Sequence, residues 1–178
     1  MKKANDRNRA KITTAIVIVL AIFMGSYRSI SRLNKDVLAA FSDMGDDSYS
    51  IAELLDEKIV GAHNVATVAK KYMGDSAANK LYSIISALDK AETAAEKSRE
   101  NTNLDTECKR LEAELSALSI KEADENALRR QLTNMEAAND IIERNGYNNK
   151  VAELDKKLDS FPANVLLKLY GIKRADKF

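Results

Sequence analysis

Ile12 to Met24 is apolar apart from Thr13 and Thr14, and its core, IVIVLAIFM, constrains this chain more than any other feature. Gly25, Ser26 and Tyr27 extend the stretch to residues 12–27. Sixteen helical residues reach about 24 Å, short of the roughly 30 Å hydrocarbon core, so a span here needs Lys11 and Arg28 to snorkel. A cleaved secretory signal also begins with a basic segment and an apolar core. It would then need a small-x-small cleavage pair, and Phe23 and Met24 occupy the minus-three positions instead. A buried core helix is disfavoured, because nothing else in the chain is apolar enough to cover it. The sequence therefore predicts an uncleaved anchor, single-pass, in the lipid bilayer of a cell membrane. Lys2, Lys3, Arg7, Arg9 and Lys11 precede the span, against Arg28, Arg32 and Lys35 behind it. That bias predicts the N-terminus inside and the domain outside.

The remainder reads as all-helical. Six Gly and one Pro in 178 residues leave few turns, and Ala, Leu, Lys, Glu and Asp are plentiful. Removing the five basic residues of the N-terminal tail and Asp6 from the totals of 28 and 27 leaves 23 basic and 26 acidic residues. A mildly acidic folded part argues against nucleic acid as a partner. Cys108 is the only cysteine, so no internal disulfide or multi-cysteine metal site can form.

Beyond the anchor, Tyr27, Ile30, Leu33, Val37, Phe41 and Met44 recur at helical spacing, and Gly45 should end that helix. Ser50 and Glu53 form a capping-box pattern for a second helix bearing Leu54, Leu55, Ile59, Val60, Ala62, Val65, Val68 and Tyr72. Met73-Gly74-Asp75-Ser76 is a stop and restart signal. A third helix is expected over 77–118 and a fourth over 121–160. Heptad spacing of Leu104, Cys108, Leu111, Leu115 and Leu118, facing Leu128, Leu132, Met135, Asn139 and Ile142, predicts an antiparallel coiled-coil hairpin. Residues 89–103 offer only Ala as apolar side chains, and the matching stretch holds Asn145, Gly146, Asn148 and Asn149. Such a waist suits a close small-residue contact or a hinge.

The expected architecture is an N-terminal transmembrane helix continuing into an antiparallel four-helix bundle with a projecting coiled-coil hairpin. Its parts are a basic tail at 1–11, an anchor at 12–27, a bundle at 28–160 and an apolar, basic C-terminal segment at 161–178. From helix lengths, the hairpin should extend some 25 to 30 Å past the second helix, with its tip at 119–124. The fourth helix would then return Phe161 and Pro162 towards the membrane.

The stretch GYNNKVAELDKKLDSFPANVLLKLYGIKRADKF resembles the end of LemA-family proteins, where a Tyr-Asn pair in the last long helix precedes Phe-Pro and a short apolar, Gly-containing segment. Here these are Tyr147-Asn148 and Phe161-Pro162-Ala163-Asn164. SYRSISRLNKDVLAAFSD is similar to that family's first outer helix. The second helix departs, with ELLDEKIVGAHNV where a Pro-containing, doubly basic stretch is usual, which marks a divergent member. The resemblance implies a membrane-anchored antiparallel helical bundle of the bacterial cell envelope, and it implies a fold more than an activity.

No catalytic, cofactor-binding or metal-ligating residues are expected, and no cofactor. His63 has Asp56 and Glu57 on preceding turns, but a bundle metal site would need Glu-x-x-His pairs, and none occurs. Cys108 sits at a heptad core position, where a thiol packs as a small hydrophobe. No strained nucleophile turn or Gly-rich phosphate loop is present. Alternating charges such as DKAETAAEKSRE read as solvated helix faces. The chain is therefore expected to be non-enzymatic, acting through an unknown protein partner or within a membrane complex. A coiled-coil spacer forming a homo-oligomer, or a regulator of a membrane protease, are the alternatives. Two roles stand open for the C-terminal segment. Phe161, Val165, Leu166, Leu169 and Tyr170 would cap the open end of the bundle, or they would lie on lipid with Lys168, Lys173, Arg174 and Lys177 near anionic head groups.

Overall fold

The computed structural model describes residues 2–42, 49–170 and 174–178, with side chains at 10–42, 49–168 and 174–178. The expected stop at Gly45, the Met44 position and the side chains of Leu169, Tyr170 and Lys173 lie outside the described residues, as do those of the basic tail before Ala10. Among the described residues the chain is all-helical, with α1 at Lys2–Ser42, α2 at Ile51–Met73, α3 at Asp75–Lys90, α4 at Ala94–Ser116, α5 at Glu122–Arg144, α6 at Tyr147–Asp159 and α7 at Ala163–Tyr170. Two compact units divide it. One comprises Met1–Val37 and Asn149–Ala175, the other Leu38–Asn148 and Asp176–Phe178.

The second unit is a four-helix bundle of α2 to α5. Each end of these helices carries a reason to start or stop. Ser50 Oγ accepts the Glu53 N–H at 3.2 Å while Glu53 Oε2 accepts the Ser50 N–H at 2.8 Å, so the expected capping box opens α2. Gly74 alone joins α2 to α3, at φ 89°, a conformation that favours glycine. The chain then folds back, bringing the His63 and Tyr82 rings to 5.7 Å.

The expected third helix over 77–118 is in fact two helices. α3 ends at Lys90, and a second capping box of Thr93 and Glu96 starts α4. The chain reverses between them, since Lys80 Nζ on α3 lies 2.6 Å from Glu107 on α4 and Lys97 Nζ reaches the Leu88 carbonyl at 3.4 Å. Residues 91–93 of the waist are thus a turn between two helices rather than a hinge within one, and residues 94–103 belong to α4. The expected fourth helix is also broken, at Asn145-Gly146, where Gly146 has φ 76°.

These reversals correct the projecting hairpin. α5 runs antiparallel to α2, with Asn145 Nδ2 at 3.4 Å from the Tyr49 carbonyl near one end and the Tyr72 hydroxyl 2.5 Å from Asp124 at the other. The α4–α5 turn is therefore met by the last turn of α2, whose Tyr72 also accepts the Lys121 N–H at 3.0 Å. Shorter, equalised helices result: 23, 16, 23 and 23 residues for α2 to α5. Their core holds Leu54, Leu55, Val65, Leu81, Leu88, Leu104, Leu111 and Leu115, all at most 2 % exposed. Leu128, Met135 and Ile142 are buried as the heptad predicts, whereas Val60 and Leu118 are exposed.

In the first unit, α1 buries Ile30, Leu33 and Val37, and α6 and α7 bury Val151, Leu154, Leu158, Ala163 and Leu166. Tyr27 of the expected α1 face is half exposed. The N-terminal part of α1 has a mean hydropathy of 1.8 in its most apolar window, and none of that window is buried by protein. A core helix would be covered; this one is apolar enough to cross a membrane and stands bare.

Candidate functional site

The most unusual chemistry in the bundle centres on Lys58. Helix α2 turns a stripe of Ile51, Leu54, Leu55, Lys58, Ala62, Val65 and Ala69 inward, and the lysine occupies a core position on it with no exposed surface. An unpaired buried ammonium would cost several kcal/mol, so its partners decide whether the helix can pack this way. Asp105 Oδ1 lies 2.7 Å from Nζ, Asn139 Oδ1 lies 2.5 Å away, and Asn101 Oδ1 accepts the third bond. Three donors meet three acceptors, drawn from α4 and α5.

The acceptors are themselves held. Asn139 Nδ2 donates to Asp105 Oδ2 at 2.8 Å, and Asn101 Nδ2 lies 3.4 Å from Asn139 Oδ1. Burial lowers the pKa of Lys58 below the usual lysine value, and the Asp105 carboxylate opposes that shift. A nucleophilic lysine needs a free lone pair and access to substrate. Lys58 has neither, so the cluster fixes the packing of three helices, as a polar residue in a coiled-coil seam fixes register.

Glu107 forms a second buried group. It receives Arg110 Nη2 at 2.6 Å and Lys80 Nζ at 2.6 Å, and the Arg110 bond is the first cause of its lowered pKa. Beside these ions, burial pushes the Cys108 thiol up to about 12. A thiol so protonated is not a nucleophile, in keeping with its expected packing role.

His63 faces solvent, with Tyr82 as its ring neighbour. Asp56 and Glu57 are exposed on the same helix. Among the described residues no group of three or more His, Cys, Asp or Glu converges as a metal site would require.

An open groove of about 530 Å³ runs between α2 and α5 beside the Lys58 cluster. Gly61 permits the close approach at its floor, since a Cβ there would lie 3.1 Å from Met135 Cγ. Tyr49, Val60 and Ile141 line it and are 56, 62 and 41 % exposed. Sequence reasoning named Val60 only among the apolar residues of the second helix and overlooked Lys58. The signal was present: Lys58 falls on the inward stripe of α2, and Asn139 and Asn101 fall on the stripes of the helices opposite.

The Tyr147-Asn148 pair also acquires a physical role. Tyr147 is buried against Phe41, ring centroids 5.4 Å apart, and its hydroxyl donates to the Asp176 carbonyl at 2.7 Å. Asn148 Nδ2 donates to the Phe178 main-chain oxygen at 2.8 Å while its Oδ1 accepts the Phe178 N–H at 2.9 Å. The Phe178 ring closes on Phe41 at 6.2 Å.

No curated protein and no solved structure matches the chain. The model of the LemA family matches residues 58–178, well over half its length, from Lys58 through the Tyr-Asn clamp and Phe161-Pro162. SYRSISRLNKDVLAAFSD lies before the matched region. On the strength of that match, the chain belongs to the LemA family.

Proposed function

We propose that this protein is a single-pass, non-enzymatic component of the bacterial cell envelope, anchored by α1 in the cytoplasmic membrane with the bundle outside, and that it works by binding another protein. The observation that carries the reading is the α2–α5 groove. Exposed Tyr49, Val60 and Ile141 sit around a floor of Gly61, Met135 and Ala138, so apolar surface is left open there. Lys58 and its three acceptors hold the groove's two walls in one register. The excess of basic residues before the span supports the orientation.

Photo-crosslinking tests this directly. A photoreactive residue replacing Val60 in the full chain, activated in intact membranes, should capture a distinct protein identifiable by mass spectrometry. Crosslinks to copies of this chain alone would favour the homo-oligomeric spacer, and none would leave the groove without a protein partner. A reporter active only in the cytoplasm, fused to Phe178, should stay silent; activity would reverse the orientation.

A further inference from the structure

The first unit carries an apolar site of its own. Phe161, in the turn between α6 and α7, is 72 % exposed, yet its ring meets Phe23 edge-on, centroids 6.1 Å apart and planes at 83°. Phe23 belongs to the apolar run of α1 and lies about 7.5 Å along the helix before Arg28. A membrane deep enough to cover Phe23 must therefore reach Phe161 as well, because the two rings touch. Beside them an open groove of about 620 Å³ is lined by Leu20, Phe23, Met24, Tyr27, Arg28 and Leu166. Leu166 is buried and Val165 partly exposed, so α7 both packs and presents apolar surface.

We infer that the Phe161 turn and the first turns of α7 are a second membrane contact, with Phe161 and Val165 entering the acyl boundary of the leaflet where α1 emerges and lipid chains filling the groove beside Phe23. The inference rests on α1 being a membrane span. Position decides the occupant: the groove is continuous with the bare apolar face of α1, which only lipid covers. Charge plays a smaller part. Lys156 and Lys168 are exposed, but Arg174 is engaged by Asp155 at 3.2 Å and by Asp159, and Lys157 by Glu153 at 3.1 Å. Burial of apolar area at the interface, more than attraction to anionic head groups, should govern the contact.

The chain has no tryptophan, so a single introduced one is an unambiguous probe. Full-length Phe161→Trp and, separately, Phe23→Trp would be reconstituted in vesicles of phosphatidylcholine and phosphatidylglycerol containing lipids with doxyl quenchers at graded depths. The expected result is blue-shifted emission from both, with Phe161→Trp quenched to a similar extent by the shallow doxyl positions. Water-like, unquenched emission from Phe161→Trp alongside quenched Phe23→Trp would overturn the contact and leave the anchor standing. Loss of quenching at both would overturn the anchor and the contact together.

Discussion

Lys58 Nζ and Asp105 Oδ1 lie 2.7 Å apart, with the lysine side chain wholly buried and the aspartate's 24 % exposed. That asymmetry fixes which partner can be lost. Asp105→Ala strands a buried cation and should cost about 3–5 kcal/mol. Lys58→Met removes the charge that needs compensation and leaves Asp105 in reach of water, so it should cost clearly less. Urea unfolding of the two variants checks the order. Equal losses would show that Lys58 is not dependent on Asp105.

The same burial gives an alkaline signature. Lys58 titrates below its usual value of 10.5 in the fold, so between that lowered pKa and 10.5 the unfolded chain binds more protons and the lysine's contribution to stability rises with pH. The stability of the native protein relative to Lys58→Met should therefore improve as pH climbs towards 10.5. Urea midpoints of both proteins across that range measure it, and a constant difference would contradict it.

Glu107 works in the opposite range. Bonds from Arg110 and Lys80 hold its pKa below the usual 4.5, so the stability it contributes is present above 4.5 and is lost as pH falls through the lowered value. Glu107→Gln should flatten the acid limb of the stability profile. A limb unchanged in slope would assign acid sensitivity to other carboxylates.

Cys108 should be silent in the native state. With its pKa pushed up to about 12, only about one thiol in ten thousand is ionised at pH 8. Maleimide labelling should be far slower than for an unfolded control and should accelerate in urea along the unfolding curve. Rapid labelling without denaturant would mean that α4 opens locally.

The clamp on the last residues is also measurable. Asn148→Ala removes two hydrogen bonds to the Phe178 main chain and should cost about 1–3 kcal/mol. Exchange of the Phe178 amide should then approach that of an open chain. If it is already unprotected in the native protein, the clamp is not formed in solution.

The apolar N-terminal helix, the helical class, the α2 capping box and most heptad positions were legible because each depends on local pattern. The reversal at residues 91–93 was legible too, since Thr93-Ala-Ala-Glu96 carries the capping-box spacing, but the low apolar content of 89–103 drew attention to a seam instead. Asn145-Gly146 was a second overlooked signal, an Asn-Gly pair inside an expected helix. Lys58 failed for a deeper reason. Hydrophobic periodicity marks core positions by apolarity, and a buried ion is visible only when helices far apart in sequence are superposed. The Phe161–Phe23 contact depended on the same kind of long-range placement.

Gly74 has a consequence for how this chain can vary in length. With a single residue between α2 and α3, there is no slack to absorb an insertion. One residue added between Met73 and Asp75 would advance α3 by about 100° about its axis. Leu81, Ile85 and Leu88 would swing away from the core as a set, and residues of the outer face would take their place. The connections at 91–93 and 117–121 have residues to spare. Relatives that differ in length within this bundle should therefore gain or lose residues at those two turns and keep the α2–α3 corner fixed.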